Sequence, residues 1–106
     1  MQLLSTEALR HLPAAILPRL VDMFGKTTPA LLTDIQQHAS SGDLRAMAQA
    51  AHKLKGSCVS LGAEQMAAIC KELQHKGESN DASGINEYVA ELTSIYPATF
   101  AEMQKL

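Results

Sequence analysis

The sequence has no apolar run near the 18 residues that a membrane-crossing helix needs, so no span is expected. It has no excess of basic charge. Nine Lys and Arg stand against 11 Asp and Glu, a formal net charge of −2, whereas a nucleic-acid binder shows a basic face or stripe. Cysteine is scarce. Cys58 and Cys70 form no Cys-x-x-Cys motif and no secretory signal precedes them, so they read as buried free thiols rather than a disulfide framework. His11, His38, His52 and His75 include no pair four residues apart, which argues against a zinc-type site. No glycine-rich phosphate loop is present, and Met1-Gln2-Leu3-Leu4-Ser5-Thr6-Glu7 lacks the basic-then-apolar order of a signal peptide. No stretch alternates apolar and polar residues as a half-buried strand does.

Helical periodicity is present throughout. With 46% hydrophobic and 19% charged residues in 106, the composition is globular, and one domain over 1–106 is expected. Ser5-Thr6-Glu7 suits the cap of a short first helix ending before Pro13. Ile16, Leu17, Leu20, Val21 and Phe24 form one apolar set, and Leu31, Leu32, Ile35 and Ala39 a second. Between them, Gly25-Lys26-Thr27-Thr28-Pro29 marks either two helices meeting, with Thr27 or Thr28 as cap, or one long helix that bends. Ser40-Ser41-Gly42 ends that segment, and Asp43 is a good N-cap for the next. Leu44, Met47, Ala51, Leu54, Cys58 and Leu61 then follow at spacings of three and four, one packed stripe of a bundle. Leu61-Gly62-Ala63 breaks this helix. A fourth segment carries Met66, Ile69, Cys70 and Leu73 and is expected to stop at Lys76-Gly77. After a polar loop over 78–84, the last segment carries Ile85, Tyr88, Val89, Leu92, Ile95, Phe100 and Met103, with Pro97 expected to bend or interrupt it. Together these predict an all-α protein: an antiparallel up-down four-helix bundle with an extra short N-terminal helix.

His52 is the histidine whose setting is unusual. It lies about 100° around the helix from Ala51, at the edge of the buried stripe. Arg45, Ala48, Gln49, Lys55, Gly56 and Val59 share its face. A glycine inside an exposed helix costs about 1 kcal/mol against alanine, so Gly56 calls for a reason. Helical side chains lean toward the N-terminus, and any long side chain at position 56 would lean over the His52 ring. Ala48 keeps the preceding turn small. Lys55, three residues on, is a cation placed to hold a phosphoryl oxygen on the ring and to favour the neutral, nucleophilic imidazole. Taken singly, the histidine, lysine and glycine are ordinary; together on one face they point to chemistry.

The stretch His52-Lys53-Leu54-Lys55-Gly56-Ser57-Cys58 resembles the signature of histidine-containing phosphotransfer (HPt) domains. Gly62-Ala63, Leu73-Gln74, Gly42-Asp43-Leu44, Ala50-Ala51 and Met23-Phe24 with Pro29 and Leu31-Leu32 are similar to that family's pattern as well. The resemblance implies a phosphorelay intermediate of a two-component system, taking a phosphoryl group from one receiver-domain aspartate and passing it to another. It implies His52 as the phosphoacceptor, through Nε2 as the outer nitrogen. Lys55 and Gln74 would be its polar neighbours, with Gly56 giving access. It also implies response-regulator receiver domains, upstream and downstream, as partners. No cofactor is expected in this chain, magnesium being expected on the receiver, and no autonomous activity. A monomer in the cytoplasm is expected, without nucleic-acid or membrane contact. The chain is similar to the C-terminal domains of hybrid sensor histidine kinases, which would place it on the cytoplasmic side of an inner-membrane protein.

Other readings are weaker. In the dimerisation and phosphoacceptor domain of a sensor kinase, an acidic residue follows the histidine; here it is Lys53. A cysteine or serine enzyme using Cys58 or Ser57 lacks a base at helical spacing, and Cys58 falls on the buried stripe. A non-catalytic helical protein-interaction module, with His52 incidental, is the alternative to phosphotransfer.

Overall fold

The order of elements follows from where the chain can and cannot sustain a helix. A computed structural model describes residues 2–106, so Met1, where the N-terminal reading starts, lies outside the described residues. The helices are α1 (Thr6–Leu9), α2 (Leu17–Ser41), α3 (Leu44–Ser60), α4 (Glu64–Glu78) and α5 (Ile85–Gln104), and no strand occurs among the described residues. Helix α2 packs on α3, α3 on α4, α4 on α5, and α5 returns to α2. Neighbours in sequence joined by short connections, with first and last closing the ring, make an antiparallel up-down bundle. Single-turn α1 is tied to the α3–α4 connection, where Ser5 N–H donates to the Gly62 carbonyl at 2.7 Å.

Helix α3 forms as its pattern predicts. The Asp43 carboxylate accepts from Ala46 N–H at 3.1 Å, satisfying one of the orphan amides of the first turn. Leu44, Met47, Ala51, Leu54, Cys58 and Leu61 are all buried, facing Met66, Ile69, Cys70 and Leu73 of α4 in one core. Fully burying side chains of this size contributes about 1.5–3 kcal/mol each. Between α2 and α3, Gly42 adopts φ 79°, a left-handed conformation that closes α2 while its N–H bonds the His38 carbonyl.

Of the two alternatives for the segment at 25–29, the structure takes the single long helix: α2 does not restart near Pro29 but runs unbroken through it. Thr27 is not a cap, since its hydroxyl donates to the Met23 carbonyl at 2.9 Å, and Thr28 is buried within the helix. Proline removes one helical hydrogen bond, but Pro29 faces solvent and the helix is held on both sides by α3 and α5, so packing overrides the local penalty. Gly25 is not a break either. A Cβ there would overlap the Phe100 ring of α5, which sits with its centroid 6.4 Å from that of Phe24 and 5.9 Å from that of Tyr96. Solvent-facing Pro97 likewise leaves α5 continuous. Lastly, α4 passes through Gly77 to Glu78. Gly77 is buried, and a Cβ on it would overlap the Leu44 carbonyl oxygen and Ala48 Cβ of α3, so this glycine serves close helix packing rather than helix termination. Among the described residues, no helix is long and apolar enough to cross a membrane.

Candidate functional site

Helices α3 and α4 bring the predicted site residues together on the outer rim of their contact. His52, one residue past buried Ala51, projects from the rim and is exposed. Gln74, one residue past buried Leu73 on α4, reaches across to it. Gln74 Oε1 lies 3.2 Å from His52 Nδ1 and accepts from Lys55 Nζ at 2.8 Å. The contact of His52 with Lys55 is thus indirect: both converge on one amide oxygen. The other end of that amide, Nε2, donates to Glu78 Oε2 at 3.4 Å.

An ammonium group can only donate, so the atom beside Lys55 must be the amide oxygen. The same oxygen can only accept from His52, which puts a proton on Nδ1. In the neutral ring Nε2 then carries the lone pair, on the solvent side. The site can therefore offer an exposed nitrogen nucleophile with a fixed cation one helical turn away.

Gly56 has open space where its Cβ would be, with nothing within 4 Å. Close packing against another helix is therefore not what this glycine serves, while clearance over the ring stands for side chains long enough to reach it. Ala48 has a second role beside keeping that turn small. It is buried against Gly77, so its small size serves the helix contact as well as the cleft. That cleft is open, about 710 Å³ in volume, and runs beside His52 between Asp34 and His38 of α2, Arg45 and Gln49 of α3, and Glu78 of α4. Val59, on the same face of α3 as His52 and two turns on, is 62% exposed, and Met23 on α2 is 59% exposed.

Glu78 is the site residue that sequence reasoning missed. Its signal was available as the Gln74–Glu78 spacing of four, which places the two on one helix face. Cys58 and Cys70 are free and buried in the core. Hydrogen bonding to Cys70 and then burial push the Cys58 thiol far above its ordinary value, so it supplies no thiolate nucleophile. Among the described residues, no group of three or more His, Cys, Asp or Glu side chains is placed to hold a metal ion.

A bundle presenting one histidine beside a lysine and an amide defines a class. The Hpt domain family model matches residues 19–99, most of the chain, and the chain belongs to that family of histidine phosphotransfer domains acting in two-component phosphorelays. Among curated proteins it is similar to the phosphotransferase RcsD of Escherichia coli (strain K12), 31% identical over 72 residues, which are 68% of this chain and 8% of that one. The chain thus matches only a small fraction of that relative's length. No solved structure matches the chain significantly.

Proposed function

We propose that His52 is the phosphoacceptor of this domain and carries a phosphoryl group between the aspartates of receiver domains. The observation that supports it most is the convergence of His52 Nδ1 and Lys55 Nζ on Gln74 Oε1 beside an uncovered Gly56. In the forward step the Nε2 lone pair attacks the phosphorus of an aspartyl phosphate. The Nε2–P bond forms, the P–O bond to the aspartate breaks, and the carboxylate leaves with its electron pair. The ring gains the positive charge, and its Nδ1 proton stays shared with Gln74 Oε1, a hydrogen bond that strengthens as the charge develops. Lys55 faces the charge that gathers on the phosphoryl oxygens. Transfer of this kind depends on in-line placement and charge neutralisation more than on covalent assistance.

The receiver would bring its divalent ion and much of the electrostatics, making this chain a substrate and carrier with no activity alone. Val59 and Met23 would belong to the apolar surface that receives it. The domain, spanning 1–106, works as a monomer on the cytoplasmic side of the membrane. As in a hybrid sensor kinase, it would act as one part of a larger relay protein.

The test is direct. Incubation with a phosphorylated receiver domain should label the protein with phosphate that survives base and is lost in acid. His52→Gln should carry no label. Label retained in that variant would move the site elsewhere, and no label from any receiver would leave a helical interaction module.

A further inference from the structure

Glu78 is the last residue of α4, where the helix dipole disfavours a carboxylate. The same turn carries His75 and Lys76, yet among the described residues no cation pairs with Glu78. Its side-chain partner is Gln74 Nε2. The Gln74 amide is consequently held at both ends by groups of fixed polarity, with Lys55 donating to its oxygen and Glu78 accepting from its nitrogen. Turning the amide over would place NH₂ against an ammonium and a carbonyl against a carboxylate, losing both bonds.

We infer that Glu78 is a positioning residue for His52: by holding Gln74 Nε2 it keeps Oε1 on the ring, fixes the proton on Nδ1, and leaves Nε2 free to react. The reactive consequence rests on His52 being the phosphoacceptor; the tautomer assignment does not. The logic is that of metal-bound or catalytic histidines, where the bond at one ring nitrogen selects the state of the other. Here the selection is relayed through an amide that has two orientations. Without Glu78 the amide is held by Lys55 and the ring alone, and its reversed orientation would offer NH₂ to Nδ1, moving the ring proton to Nε2 and removing the nucleophilic lone pair.

The test is the ¹⁵N spectrum of the His52 ring in the whole 106-residue chain at a pH where the ring is neutral. The native protein should show a protonated Nδ1 and an unprotonated Nε2. Glu78→Ala should shift the tautomer ratio about fivefold toward protonated Nε2, the effect of losing one ordinary hydrogen bond. Glu78→Gln, whose carbonyl can still accept at the same reach, should restore the native ratio. An unprotonated Nδ1 in the native protein, or an unmoved ratio in Glu78→Ala, would overturn the inference. So would a shift in Glu78→Gln as large as in Glu78→Ala, because charge rather than the hydrogen bond would then be responsible. Phosphate transfer measured alongside separates the two ideas. A native Nδ1–H ring that responds to Glu78→Ala but takes no phosphoryl group sinks the carrier reading alone. Normal transfer with an unresponsive ring sinks the role of Glu78 alone.

Discussion

Among the glycines within helices, Gly56 on α3 and Gly77 on the neighbouring α4 make a contrast. At Gly77 the partner helix fills the space, with the Leu44 carbonyl and Ala48 where a Cβ would go. At Gly56 there is nothing within 4 Å. Both positions forgo about 1 kcal/mol of helix propensity relative to alanine. At Gly77 that loss is offset by the close approach of α3 and α4. At Gly56 no contact offsets it, and the adjacent feature is the exposed ring of His52. The same residue type thus marks a packing constraint in one place and, with His52 as the proposed phosphoacceptor, clearance for its ring in the other, and only the surroundings tell them apart.

That contrast can be tested in order of expected effect. Gly56→Leu should slow transfer from a phosphorylated receiver by about 10²-fold, the scale of a small misplacement of reacting groups, while thermal melting shows the bundle intact. Normal transfer by this variant would defeat the clearance argument. Gly77→Ala should destabilise by about 1–3 kcal/mol through overpacking, read from denaturant midpoints, because the atom it meets is backbone and cannot rotate away. Gly56→Ala should go the other way, stabilising by about 1 kcal/mol with transfer little changed, since its methyl enters open space. Equal signs for the two alanine variants would erase the distinction.

The smallest effect lies in the polar loop beyond Gly77. The Ser83 hydroxyl and then its amide hold the Asp81 carboxyl below its ordinary value of 3.8. A depressed carboxylate stabilises the fold above its unfolded pKa, and that contribution fades as pH falls through the folded one. An NMR titration should therefore place the Asp81 midpoint below 3.8, and Ser83→Ala should return it upward.

The α3 stripe, the Asp43 cap and the Gly42 stop were legible in the sequence because each is a local rule that nothing distant contradicts. Gly25 and Pro29 left the choice between a break and one long helix open, and Pro97 and Gly77 pointed to an interruption and a stop, for a common reason: their local preference is to interrupt, and contacts from another helix decide otherwise. Gly25 is explained by Phe100, 75 residues away, and Gly77 by Leu44 and Ala48. At the site, His52, Lys55 and Gly56 stood out through their spacing on one helix. Gln74 was reached through the family resemblance alone, since its alignment with His52 depends on how α4 lies against α3. Glu78 was passed over because the helix was expected to stop at Gly77, which put Glu78 in the polar loop and off the helix face of Gln74; α4 in fact runs to Glu78.

The exposure of His52 also has a consequence in time. With no described segment folded over the ring, a phosphoryl group on Nε2 would stand in water throughout its stay. Among the described residues there is no lid to prolong the stay and no gate to end it. Delivery then becomes a race between hydrolysis and diffusion. For a partner at about 1 μM with an association rate constant near 10⁶ M⁻¹s⁻¹, encounters come roughly once per second, and the stored group must outlast that interval by its own bond chemistry.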